Sequence, residues 1–142
     1  MTHRHRPEHI AVGTDGSLNA HAAIRWAVDH AQPGDTVTLV HSWEAASSVS
    51  DPVATKTDPS AAARIFIDRE CARANALPHA ERVSVCGEVV EGDPKDCLES
   101  VRCDLLVVGA RGHNRVAELL LGSVTSHLVQ HCHRPLVIVP HG

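Results

Sequence analysis

The sequence predicts an α/β fold: one doubly wound domain, a five-stranded parallel sheet in the order 3-2-1-4-5, and helices on both faces. Three observations predict it. Short β-branched runs alternate with helical patterns along the chain, which reads as parallel strands joined by crossover helices. The run "DLLVV" is apolar without alternation, as in a strand buried on both faces. Glycine-bearing loops, "GTDGS" and "GARG", follow the first and fourth strands. Ligands collect beyond the carboxyl ends of strands where the strand order reverses. If both loops face one crevice, strands one and four are neighbours and the order follows. The arrangement is Rossmann-like.

Each element has its own warrant. His9 to Gly13 is a short apolar run ending on glycine, the first strand. "NAHAAIRWAVDHA" places Ala20, Ala23, Ile24, Ala27, Val28 and Ala31 on one helical stripe. Ser17 or Asn19 is placed to cap its start. "QPGD" ends it, and "TVTLVHSW" is the second strand. Glu44 to Ser60 is polar, small and broken by proline, which predicts a loop. "AAARIFIDRECARANA" predicts a second helix with Ala62, Ile65, Phe66, Arg69 and Cys71 on a less tidy stripe. "RVSVCGEVV" is the third strand. Pro94 opens a short third helix reaching about Val101. "DLLVVG" is the fourth strand. Gly122 and Ser123 are poor residues for a helix interior, so they start the fourth helix rather than interrupt it. "RPLVIVP" is the fifth strand.

Composition narrows the function. A chain of 142 residues makes one domain. Residues 1–8 form a short basic, histidine-rich tail, and 9–142 form the domain. The net charge of −4 offers no footprint for nucleic acid or an anionic membrane. Trp26, Trp43 and Phe66 are the only aromatic residues, too few for base-stacking platforms. No apolar run approaches 18 residues. Five cysteines form no C-x-x-C pair, which fits free, mostly buried thiols in a reducing cytoplasm.

The chemistry sits in "GARGHNRVAELLLGSV". A glycine lets an amide approach a phosphate oxygen closely and also adopts positive φ. Gly109 and Gly112 are expected to bend the chain off strand four and expose amides as an anion nest. Gly122 and Ser123 would then open a helix whose unpaired amides and dipole favour an anion. Two such patches suit a polyphosphate, with residues 113–121 as the strap between them. Arg111 is placed to pair with phosphate, or else is a solvated loop arginine.

This composite resembles the nucleotide-binding branch of the universal stress protein family. The family motif is a glycine, two residues, a glycine, nine residues, then glycine and serine or threonine. It stands here as Gly109, Gly112, Gly122 and Ser123. The resemblance extends through "IAVGTDGS", "AIRWAVDHA", "LVHSW" and "GDP" to "RPLVIVP". It implies ATP as ligand, with Mg2+ an optional companion. By position, Thr14 and Asp15 would meet the ribose or adenine side, and Ser42 would contact adenine through its backbone. Val108 would line the adenine pocket. Gly109, Arg111, Gly112, Gly122, Ser123 and Val124 would surround phosphates and ribose. The resemblance also implies a homodimer through Pro135 to Pro140. Another adenine nucleotide such as cAMP, or an interaction module independent of nucleotide, are the alternatives.

Other constellations carry less. His127 and His131 stand four apart on the fourth helix, with His133 following. No H-E-x-x-H glutamate accompanies them, so no metal site is expected. No Walker lysine and no G-x-S-x-G serine is present, and Asp15 lacks a catalytic partner nearby in sequence. Catalysis is not predicted beyond slow ATP hydrolysis. His113 is placed to meet phosphate or solvent, and Trp43 to cover a purine or pack the loop root. Cys132 reads as a buried thiol.

Overall fold

The computed structural model describes residue 6 and residues 8–45, 58–112 and 121–141. Its strands are β1 (His9–Gly13), β2 (Thr36–Trp43), β3 (Ser84–Glu91), β4 (Leu105–Gly109) and β5 (Leu136–Val139). Its helices are α1 (Leu18–His30), α2 (Pro59–Asn75), α3 (Pro94–Ser100) and α4 (Ser123–His131). All strand pairs are parallel, and the order is β3-β2-β1-β4-β5. The predicted topology stands, with β1 beside β4 at the centre.

Strand alternation divides the core in two. Ile10, Val12, Val37, Leu39 and Val107 point to one face, where Ala23, Ile24 and Ala27 of α1 and Ile67 of α2 cover them. Ala11, Val40, Leu106 and Val108 point to the other, beneath Leu98 of α3 and Leu128 of α4. Both faces of β1 and β4 are therefore dry, which is why "DLLVV" shows no polar alternation. The sheet is short of large side chains, and alanines on α1 let that helix lie close.

Local chemistry sets the boundaries. Ser17 caps α1, its hydroxyl accepting from the Ala20 N–H at 3.1 Å. Asn19, the other candidate cap, is buried in the first turn, as the second helical residue. Asp58 caps α2 and Pro59 takes its first turn, so Ser60 belongs to the helix rather than to the preceding loop. Residues 46–57 of that predicted loop lie outside the described residues. The buried stripe of α2 is Ala63, Ile67, Glu70 and Ala74, and Ile65 is 55% exposed. Of the predicted stripe, Phe66 and Cys71 are half-buried and Ala62, Ile65 and Arg69 are exposed; Glu70 is buried for a polar reason given below. A short 3-10 turn at Ala80–Arg82 delays β3 to Ser84.

Asp35 is a structural residue that the sequence pattern did not flag. It is buried, and its carboxylate accepts from the Glu8 N–H at 2.9 Å and the Gln32 N–H at 2.8 Å. It thus ties the turn after α1 to the start of β1. Residues 1–5 and 7 of the predicted tail lie outside the described residues. All five cysteines are free, but only Cys97 is fully buried, and Cys86 is exposed. Desolvation is the first cause that pushes the thiols of Cys71, Cys97 and Cys103 up from their ordinary value. Trp26 is half-buried and stacks on His30. No described helix is long and apolar enough to cross a membrane.

Two substitutions test this account by urea denaturation. A Cβ on Gly109 would lie 2.7 Å from the backbone of Asn19, so Gly109→Ala is expected to cost about 1–3 kcal/mol. An unshifted midpoint would show that α1 does not rest on this residue. Asp35→Ala orphans two amides and is expected to cost about 2–3 kcal/mol, and a loss below about 0.5 kcal/mol would contradict the assigned role.

Candidate functional site

The carboxyl ends of β1, β2 and β4 and the first turn of α4 enclose a cavity of about 460 Å3. The wall after β1 is held by hydrogen bonds on both sides. The Thr14 N–H donates to the Val40 carbonyl at 2.9 Å, extending the β1–β2 ladder past the strand end. The Thr14 hydroxyl donates to Glu70 Oε1 at 2.9 Å. His41 Nδ1 lies 2.9 Å from the Thr14 carbonyl, which only accepts, so this nitrogen carries the proton. Glu70 also meets His21 Nε2 at 3.3 Å and Arg73 Nε at 3.7 Å. A buried carboxylate requires such partners, and the arrangement ties α2 to the loop after β1.

Asp15 supports its own turn. Its Oδ1 accepts from the Ser17 N–H at 2.9 Å, an Asx turn. Its Oδ2 lies on the Gly112 side, where a Cβ on Gly112 would collide with it. The loops after β1 and β4 therefore touch, as the glycine pattern required.

The wall after β4 closes on itself. The Ala110 N–H donates to the Val139 carbonyl at 3.0 Å, and the Gly122 N–H donates to the Ala110 carbonyl at 2.9 Å. The Thr125 hydroxyl donates to the Gly109 carbonyl at 2.8 Å. These bonds bring the two halves of the glycine motif together. Among the described residues, positive φ falls on Gly16, Gly34, Gly92 and His79, so Gly109, Gly112 and Gly122 do not use glycine's left-handed freedom. The glycines serve space instead. Gly109 admits the α1 backbone, Gly112 admits the Asp15 carboxylate, and a Cβ on Gly122 would sit 3.2 Å from the Arg111 Cα.

The start of α4 is open. Its N-cap is Gly122, which supplies no side-chain cap, and the first intrahelical bond runs from the Ser126 N–H to the Gly122 carbonyl. The amides of Ser123, Val124 and Thr125 precede that bond, and all three residues line the cavity. This is the positive end of a helix dipole, suited to an anion.

The third wall is backbone. Gly13 pairs with Val40, so β2 continues through His41, Ser42 and Trp43 without β1 beside it. Val40 turns its carbonyl toward β1, while Trp43 turns its own toward β3, accepting from the Gly92 N–H at 2.8 Å. Strand alternation puts the Ser42 N–H and carbonyl on the β1 side, bordering the cavity. Val40, Val108 and Leu98 supply apolar surface there.

All ten sequence-predicted site residues line this one cavity. Thr14, Asp15 and Ser42 come from the first two strand ends, and Val108, Gly109, Arg111 and Gly112 from the fourth. Gly122, Ser123 and Val124 open α4. Sequence reasoning missed His41, Glu44, Pro94, Leu98 and Thr125, which also line it. None belongs to a spacing motif, although Thr125 extends "GSV" by one residue of the same helix turn. His113 lies outside the described residues. His127, His131 and His133 are not part of the lining. Cys132 is half-buried rather than buried, its Sγ donating to the Arg134 carbonyl at 3.4 Å.

Comparison with known proteins agrees with this geometry. The model of the universal stress protein family matches residues 7–140. Universal stress protein Rv1996 of Mycobacterium tuberculosis is 30% identical over 156 residues, covering 92% of this chain and 47% of the relative. The chain thus spans about half the length of that relative. Among solved structures, universal stress protein UspA from Lactobacillus plantarum aligns with TM-score 0.73 at 24% identity, over 96% of this chain and 99% of that one. A universal stress protein solved in complex with cAMP aligns with TM-score 0.69 at 26% identity, over 96% of this chain and 98% of that one. With strand order, cavity and family match in agreement, this chain belongs to the universal stress protein family.

Proposed function

We propose that this chain binds an adenine nucleotide, ATP foremost, in the cavity at the strand ends and acts as a nucleotide-dependent regulator in the stress response. The observation that carries the proposal is the uncapped first turn of α4, set beside Arg111 and Gly112. Phosphates would meet the amides of Ser123, Val124 and Thr125, the Ser123 hydroxyl and the Arg111 guanidinium. Asp15 is an acceptor, and a carboxylate beside phosphate is unfavourable. It therefore suits ribose hydroxyls, or Mg2+ where the triphosphate carries it. Ser42 would offer its backbone donor and acceptor to the base edge, between Val40 and Val108. The cavity volume is ordinary for a small-molecule site.

A monophosphate fills fewer of these positions, and the relative in complex with cAMP supports that second reading. A general base aimed at a γ-phosphate is not assigned, so binding rather than turnover is the proposed activity. A cytoplasmic setting belongs to the same reading, with free thiols of the kind a reducing compartment maintains. A homodimer through Pro135 to Pro140 is also proposed, since β5 is an edge strand whose four residues are only partly buried.

Calorimetric titration with ATP, ADP, AMP and cAMP tests the ligand. ATP is expected to bind most tightly. Gly122→Val, which crowds the Arg111 backbone, is expected to weaken it at least about tenfold, or about 1.4 kcal/mol. Heat from none of the four up to millimolar ligand would reject the site. A preference for cAMP would select the second reading. Sedimentation equilibrium is expected to show a dimer, and a monomer at every loading concentration would remove the β5 interface.

A further inference from the structure

Outside the nucleotide cavity, α3 and α4 pack against each other and bring together three groups of metal-binding chemistry. Asp96 and Glu99 stand three apart on α3, a spacing that puts both on one face of the helix. His127 faces them from the middle of α4. Its Nε2 lies 3.2 Å from Glu99 Oε2, and one ligand atom from each of the three residues lies within 4.8 Å of the others.

We propose that Asp96, Glu99 and His127 form a binding site for a divalent transition metal of the Zn2+ class. Zinc takes imidazole nitrogen and carboxylate oxygen at about 2.0–2.2 Å, so tetrahedral neighbours stand about 3.3–3.5 Å apart. The His127–Glu99 pair, at 3.2 Å, is close to that separation. Asp96 is exposed, and its carboxylate already lies within 4.8 Å of the other two ligand atoms. The imidazole selects against Ca2+ and Mg2+, which prefer oxygen-only shells. Two carboxylates would neutralise the ion, and water would complete its shell.

The surroundings are built rather than loose. The His131 ring lies 4.4 Å from that of His127 on the next helical turn and restricts its rotation. Arg134 donates to the Glu99 carbonyl at 2.9 Å, holding the end of α3 beside the chain that enters β5. His127 and Glu99 keep 24% and 34% side-chain exposure, so an ion has access. None of its three residues lines the cavity, although α3 and α4 each contribute other residues to it.

The test is Zn2+ titration of the full chain carrying His3→Ala and His5→Ala, which removes the tail's own ligands. Competition with a chromophoric chelator reads stoichiometry and affinity, and Co2+ substitution reads the ligand field. One equivalent is expected, with an absorption band typical of nitrogen and oxygen ligation. His127→Gln and Glu99→Gln, each near-isosteric, are expected to weaken binding at least about tenfold. They should leave the circular dichroism spectrum unchanged. A chain that binds no Zn2+, or whose affinity neither substitution alters, would overturn the proposal.

Discussion

The backbone of α1 lies so close to the end of β4 that residue 109 can carry no side chain. Much of the site depends on that contact. The loop from Thr14 to Ser17 is the entrance to α1, so placing α1 against β4 also places that loop. Asp15 then reaches the space that Gly112 leaves open, and the two walls of the cavity meet. A larger residue at 109 would push α1 outward and separate the two walls. Close packing of this kind transmits displacement because protein interiors have little spare volume.

The topology was legible because the special residues followed the right strands. Glycines after β1 and β4 made sense only if those strands were neighbours, and the sheet order agrees. Boundaries were also close, with Pro94 and Gly122 at helix starts as their chemistry dictates, while Asp58 and Pro59, read as loop, open α2. All ten predicted site residues border one cavity for the same reason: they sit at strand ends or at the opening of a helix.

What escaped prediction was polar. A hydrophobic pattern cannot mark Glu70 as buried, because the reason for its burial lies largely in Thr14 and His21, brought in by the fold, beside Arg73 one turn along the same helix. Asp35 was hidden likewise, since its partners are backbone amides of no particular sequence. Leu98 and Pro94 reach the cavity from α3, a helix without a motif of its own. The three site glycines border the cavity without using positive φ. At each of them an added Cβ would crowd the protein itself, the Asn19 backbone, the Asp15 carboxylate or the Arg111 Cα. The contact of His127 with Glu99 was hidden because the two stand on different helices, 28 residues apart.

The cavity wall at Ser42, like the glycine positions, is made of main chain rather than of distinctive side chains. Alanine scanning would therefore pass over much of it. Truncating Ser42 or Val124 leaves the main-chain donors where they were, and a glycine has nothing to truncate. The informative experiment on such a surface adds atoms instead of removing them. The same property lets neighbouring side chains drift over evolutionary time while the shape persists, because what must be inherited at these positions is smallness.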